Sequence, residues 1–264
     1  MNNTFKSIKI ESSNQKIYSI ILNRPAKKNA LNNTLIYELT KAFNQLNDIS
    51  DCKVIILSSN SDCFCSGADL DDLKIMQEKD EETNISDSEK LMNLYKSILY
   101  NTKLTIAKVD GPAIAGGCGL ATACDIIFAS KNSKFGYSEV KIGFVPALVS
   151  VFLSMRIKET VAKELLLTGK IIDGEHAKEI GLINYLYEQK IIDKKVDSFC
   201  KYFISQSSSE SVKETKRLLL KYLDIEKKFE IAKQVNAKSR KNKDCIKGIN
   251  SFLKKEKINW SNDA

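Results

Sequence analysis

The 264 residues predict an α/β fold, and three observations carry the prediction. Short runs rich in Ile and Val recur along the chain, nearly continuous in apolar character, as strands covered on both faces are. Segments with apolar residues at helical spacing separate them, which favours parallel strands joined by helices. Seven of the eleven glycines fall between Gly67 and Gly143, so unusual backbone geometry is concentrated in one stretch.

The elements follow in order. Ile17–Leu22 reads as the first strand. Asn33–Leu46 reads as a helix, with Leu35, Leu39, Ala42, Phe43 and Leu46 on one face. Val54–Leu57 is the second strand, and Leu91–Leu99 a helix with Leu91, Leu94, Tyr95 and Ile98 on one face. Leu104–Val109 and Ile126–Ala129 complete the strands of the first half. Gln77–Glu89 is polar and acidic without apolar periodicity, and is expected to be a mobile surface loop beside the site entrance. From Ser150 onward one strand candidate remains, Ile183–Tyr187. Amphipathic, Lys-rich helices are expected at Asp193–Ser205, Ser211–Leu223 and Lys243–Lys255. Residues 1–200 are therefore expected to form the α/β core and residues 201–264 a C-terminal helical region.

Composition narrows the function. With 43% hydrophobic residues the chain can bury a large core and is not intrinsically disordered. Its net charge of +8 is unevenly placed. Residues 1–211 hold 26 basic and 26 acidic side chains, whereas residues 212–257 hold 15 and 6. A single histidine, His176, excludes a multi-histidine metal site, and none is expected. The seven cysteines are odd in number and form no CxxC pair, which favours reduced thiols packed as small apolar side chains. The start of the chain lacks a signal-peptide apolar region, and the uncharged stretch Ile142 to Met155 is shorter than the roughly 20 residues that cross a bilayer. A soluble cytoplasmic protein is expected.

Two stretches can present unpaired backbone N–H groups. Phe64-Cys65-Ser66-Gly67-Ala68-Asp69-Leu70 follows the second strand and leads into a helix start that Asp69 can cap. Asp110-Gly111-Pro112 ends the third strand, and Gly116-Gly117-Cys118-Gly119 opens an Ala-rich helix. Neither a dinucleotide GxGxxG nor a phosphate-loop GK[ST] is present. Two such N–H donors aimed at one point form an oxyanion hole. Glu139, a lone carboxylate in the apolar stretch Phe135 to Pro146, would have a raised pKa if buried, or would be an ordinary surface or cap residue if not.

Taken in order, these segments resemble the crotonase (enoyl-CoA hydratase/isomerase) superfamily. The match runs through Leu22-Asn23-Arg24-Pro25 with Asn29-Ala30-Leu31, Ser66 to Leu70, Asp110-Gly111-Pro112 with Gly116-Gly117, and Cys124-Asp125. It continues through Phe135-Gly136 with Glu139, Leu167-Thr168-Gly169, Ala177-Lys178, Gly181-Leu182-Ile183, and Phe252 to Lys255. The resemblance implies the ClpP/crotonase-like fold, repeated ββα units in a spiral, and an acyl-CoA thioester as substrate with no permanently bound cofactor. It implies that Ala68 and Gly116 N–H groups hold an enolate and that Glu139 moves protons. It also puts Arg24, Lys27, Lys28, Ala30, Ser66, Gly67, Asp69, Leu70, Gly117, Tyr137, Phe252 and Lys255 against substrate or coenzyme.

One departure stands out. Hydratases of the family carry a first glutamate where this chain has Gly119. Ser138-Glu139-Val140 with Gly143 to Ala147 resembles the methylglutaconyl-CoA/carboxygeranoyl-CoA hydratase-like branch, in which one glutamate serves as acid and base in turn. The reading is hydration of an enoyl-CoA, within fatty acid metabolism. A Δ3,Δ2-enoyl-CoA isomerase, or another crotonase reaction such as thioesterase or decarboxylase, is the alternative. A non-catalytic protein binding RNA or another polyanion through the basic tail is the distant one, and no RNA-binding motif supports it. The family also implies a homotrimer or a hexamer built as a dimer of trimers, with the C-terminal helices at subunit contacts, and no nucleic-acid or membrane partner.

Overall fold

A computed structural model describes residues 5–262. Nine strands and eleven α-helices are present among them. The large sheet contains β1 (Ile8–Asn14), β2 (Ile17–Leu22), β3 (Val54–Ser59), β4 (Leu104–Val109), β6 (Ile126–Ser130) and β9 (Tyr185–Tyr187), in the order β1-β2-β3-β4-β6-β9. A small second sheet has the order β5-β7-β8, from β5 (Pro112–Ile114), β7 (Lys134–Gly136) and β8 (Ile171–Asp173). The β1/β2 hairpin is antiparallel, as is β7 with β8, and every other pairing is parallel.

The expected α/β class and spiral of ββα units are both seen. Each turn adds one strand to the large sheet, then a short extended piece to the second layer, then a helix. After β2, Leu31 bridges Ala68; after β3, Cys65 bridges Ala113; after β4 and β6, β5 pairs with β7. The helices then begin: α1 (Asn33–Asp48), α2 (Leu70–Gln77), α4 (Gly116–Ala123) and a 3₁₀ turn at Glu139–Ile142. Residues just after the second-layer piece in successive turns therefore lie side by side. That stacking, not proximity in sequence, gathers Ala68, Gly116 and Glu139.

The strands read from the sequence are β2, β3, β4, β6 and β9, with β9 shorter than Ile183–Tyr187. Strand β1 carries little apolar signal because it is an edge strand in which only Ile8 is buried. Strands β5, β7 and β8 are three residues each, too short to show a period.

The region Gln77–Glu89 is not a loop. It spans the end of α2 and the first half of α3 (Glu81–Leu99), which Asp80 caps by accepting from the Thr83 N–H at 2.7 Å. This half of α3 buries Asn84 and Ser88 rather than apolar residues, so hydrophobic periodicity could not report it. Asn84 Nδ2 donates to the Met76 and Asp80 carbonyls, each at 2.9 Å, and Ser88 Oγ donates to Asn236 Oδ1 at 2.9 Å.

The remaining helices are α5 (Ala147–Leu153), α6 (Glu159–Thr168), α7 (Gly174–Glu179), α8 (Gln189–Gln206), α9 (Ser209–Lys221), α10 (Ile225–Ser239) and α11 (Lys243–Leu253). Ile225, Phe229 and Ala232 of α10 belong to the same buried cluster as the sheet and α1. Helix α8 covers the other face of the sheet, where Ile192, Val196 and Cys200 pack on Ile17, Val54, Ile106 and Phe128. No helix among the described residues is long and apolar enough to cross a membrane.

Candidate active site

A cavity of about 450 Å³ opens where the helix starts of successive turns converge. Its wall includes Lys28, Ala30, Leu31, Ser66, Ala68, Asp69, Leu70, Tyr95, Gly116, Ser138 and Glu139, and its depth is lined by apolar residues such as Ile36, Leu73, Met76, Leu91 and Leu148.

Backbone pairing sets the first donor. Leu31 N–H donates to the Gly67 carbonyl at 2.7 Å and the Leu31 carbonyl accepts from Asp69 N–H at 2.9 Å. Alternate residues of an extended strand point their polar groups oppositely. Ala68 N–H is therefore turned away from Leu31, and no acceptor takes it among the described residues. The second donor, Gly116 N–H, is in the first turn of α4, where intrahelical partners do not exist. It too has no acceptor among the described residues.

The two loops are clamped together. Cys65 N–H donates to the Pro112 carbonyl at 3.2 Å, and Ile114 N–H donates to the Cys65 carbonyl at 2.9 Å. Gly67 (φ +93°) meets the other loop closely: a Cβ there would lie 2.9 Å from Ala115 Cβ and 3.6 Å from Gly116 N. Ala115 itself takes φ 51°, ψ −127°, a strained setting for a non-glycine residue that turns the chain into α4.

Glu139 opens the 3₁₀ turn and is 8% exposed. Burial pushes its carboxyl up to about 7, against a smaller opposing effect of its own backbone N–H. Its Oε2 is buried with no hydrogen-bond partner among the described residues. The sequence left its burial open, and the structure decides it. An acid/base with this pKa lies in the range that moves protons in both directions at neutral pH.

The structure sorts the other expected residues. Ala30, Ser66, Asp69, Leu70, Lys28 and Phe252 line the cavity. Arg24 does not. It donates to the Ala30 carbonyl and pairs with Asp69 at 3.2 Å, bracing the loop that carries Ala68. Lys27 lies at the surface, paired with Asp71 at 3.0 Å. Gly117 is held against the neighbouring loop, where a Cβ would come within 2.3 Å of the Cys65 carbonyl oxygen. Lys255 is exposed and outside the cavity wall of this chain. Tyr137 is fully buried behind α4, its hydroxyl 2.9 Å from Thr122 Oγ1, and does not reach the cavity. Cys65 and Cys118 flank the donors but are fully buried thiols, each pushed up to about 12 by burial, so neither is a reactive thiolate.

Gly119 is fully enclosed. A Cβ there would come within 2.6 Å of Val149 Cγ1 and 2.8 Å of the Tyr95 hydroxyl. Among the wall residues not singled out in the sequence are three that form one polar group: Asp87 of α3, Asn236 of α10 and Arg240 just beyond it. Arg240 is 2% exposed, pairs with Asp87 at 2.9 Å and donates to Asn236 Oδ1 at 3.2 Å. Asp87 lies about 150 residues before the other two, and Asn236 and Arg240, four apart on one helix face, sit among surface lysines, so no motif signals the group.

The family model for enoyl-CoA hydratase/isomerase matches residues 12–263. The chain belongs to the enoyl-CoA hydratase/isomerase family. A Thermus thermophilus relative bearing the provisional name enoyl-CoA hydratase is 36% identical over 245 residues, which are 89% of this chain and 94% of that one. The 2,3-dehydroadipyl-CoA hydratase of Escherichia coli is 31% identical over 179 residues, 67% of this chain and 68% of its own. Among solved structures, the enoyl-CoA hydratase of Bacillus halodurans superposes with a TM-score of 0.86 at 27% identity, covering 93% of this chain and all (100%) of that one. This family member is an enoyl-CoA hydratase-like enzyme, and its family works on CoA thioesters.

Proposed function

We propose that this enzyme adds water across the double bond of an enoyl-CoA, with Ala68 and Gly116 N–H groups holding the enolate oxygen and Glu139 as the only protein acid/base. The observation that carries this reading is the pairing, in one cavity wall, of a buried glutamate with a pKa near 7 and two unclaimed backbone donors. Water adds its oxygen to Cβ and gives a proton to the Glu139 carboxylate. The π electrons move toward the thioester oxygen, where the two N–H groups stabilise the negative charge. Glu139 then returns the proton to Cα.

Spectrophotometric loss of the enoyl-thioester chromophore tests this. Wild-type enzyme consumes crotonyl-CoA, and Glu139→Gln lowers kcat by roughly 10²- to 10⁴-fold, the usual worth of a positioned acid/base. Undiminished activity in that variant refutes the role. Isomerisation is the second reading, favoured by the enclosure of Gly119, which leaves no room for another carboxylate. A β,γ-unsaturated thioester offered to the enzyme separates the two by product.

Branched or carboxylated enoyl-CoA thioesters, as in the methylglutaconyl-CoA branch, are candidate substrates beside crotonyl-CoA. Supporting this, the mouse methylglutaconyl-CoA hydratase is 34% identical over 182 residues. A homotrimer or hexamer is supported by exposed apolar side chains Leu218, Leu219 and Tyr222 around α9 and Ile231 and Val235 on α10. In such an assembly Lys255 and Phe252 serve the coenzyme, Lys255 at the phosphates, and residues 201–264 act as the assembly region. A cytoplasmic, reducing setting fits seven unpaired thiols, six of them buried.

A further inference from the structure

The enclosed Gly119 supplies no side chain to help Glu139 hold a water. A water that attacks a carbon needs more than a base, because a single hydrogen bond leaves it free to rotate. Against the space that a side chain at position 119 would fill stands the cavity-wall residue Tyr95. Its hydroxyl occupies the space that a side chain at position 119 would enter, 2.8 Å from that Cβ position and 3.2 Å from the one at Gly116. Tyr95 also lines the cavity that holds Glu139.

The tyrosine is rigidly held. Its ring packs on Phe152 with centroids 5.2 Å apart, and the side chain is fully buried. The hydroxyl donates its hydrogen to the Gly116 carbonyl at 3.1 Å, which leaves the oxygen lone pairs to accept from something else. Its pKa is raised well above 10, chiefly by burial and next by the Glu139 charge, so it stays a neutral hydroxyl and it senses the carboxylate.

We propose that the Tyr95 hydroxyl is the second anchor of the attacking water, doing with a neutral oxygen what the absent side chain at position 119 cannot do. The inference rests on the hydratase reading. In the addition step one water hydrogen goes to Glu139 and the water oxygen bonds to Cβ. The other hydrogen is held by Tyr95 Oη and remains on the product hydroxyl. Tyr95 neither gains nor loses a proton over the cycle, and all atoms of water end in the β-hydroxyacyl product.

Two activities of one preparation test this. The first is hydration of crotonyl-CoA, which needs the held water. The second is exchange of the α-proton of butyryl-CoA with heavy water, followed by NMR, which needs Glu139 and the two N–H donors but no attacking water. Tyr95→Phe keeps the ring against Phe152 and is expected to lower kcat for hydration about tenfold or more, with KM within about twofold, while α-proton exchange stays near the wild-type rate. Glu139→Gln is expected to abolish both. The proposal is overturned if Tyr95→Phe hydrates at the wild-type rate. It is also overturned if exchange falls in parallel, since that is the mark of a residue that only positions Gly116. Wild-type enzyme that exchanges the α-proton yet never hydrates overturns the hydratase reading and this inference with it. Should Tyr95→Phe fold poorly, the ratio of its two rates is read on the folded fraction, since that ratio does not depend on how much active enzyme is present.

Discussion

Glu139 carries the largest residue-level consequences. Its pKa of about 7 means the carboxylate, the form that accepts a proton from water, is populated as pH rises through 7. The hydration rate should therefore fall below about pH 7, and the limb should be missing in Glu139→Gln. The same shift has a stability cost with a definite sign. A carboxyl raised from 4.5 binds more protons folded than unfolded between the two values, so the fold loses stability as pH rises through that window. At about pH 8, Glu139→Gln should raise stability by an amount on the order of 3 kcal/mol, measured by denaturant unfolding, and the gain should vanish below about pH 4.5. A gain that persists at low pH would show that the carboxylate's burial is not its source. Gly67 is the second such site. Gly67→Ala forces a Cβ to 2.9 Å from Ala115 Cβ at a φ of +93°, so the Ala68 loop must shift and kcat should drop with little change in melting of the distant helices, which hydrogen exchange can resolve.

At the scale of elements, what the sequence made legible follows from burial. Strands β2, β3, β4 and β6 are covered on both faces and write continuous apolar runs, and α1 has one apolar stripe. Helix α3 was half legible because only its second half buries apolar residues, while its first half is held by Asn84, Ser88 and Asp87. The donors Ala68 and Gly116 were legible as small-residue turns into helices, and Glu139 as a lone carboxylate. Tyr95 was not, since on α3 it shares its stripe with Leu91, Leu94 and Ile98 and looks like any core aromatic. Nor was the position of Tyr137, whose alternation around Gly136 and Ser138 does not reveal that its hydroxyl turns to Thr122. The α3–α10 contact yields its own prediction. Arg240→Met leaves the partly buried Asp87 without its cation and should cost on the order of 1 to 3 kcal/mol, seen as a lowered denaturant midpoint. Adding Asp87→Leu should restore much of the loss; an additive further loss would contradict the pairing.

For the whole molecule, the charge asymmetry and the exposed apolar residues describe one thing. The neutral first 211 residues supply most of the cavity wall, and the basic stretch 212–257 adds Asn236, Arg240 and Phe252 to it while carrying Leu218, Leu219, Tyr222, Ile231 and Val235 on its surface. Patches of this kind mark protein contacts. Light scattering should therefore return a mass of three or six times the 29.7 kDa chain, and Ile231→Lys should lower it. A monomeric wild-type mass would contradict the proposed assembly and, with it, the proposed role of Lys255 at the coenzyme. Water addition through one glutamate is the proposed chemistry on which every other role depends. The pH dependence of crotonyl-CoA hydration, measured side by side for wild type and Glu139→Gln, tests it most directly. A wild-type rate that climbs through about pH 7, with Glu139→Gln down roughly 10²- to 10⁴-fold and without that limb, is the result expected. Equal rates for the two proteins at every pH would contradict it.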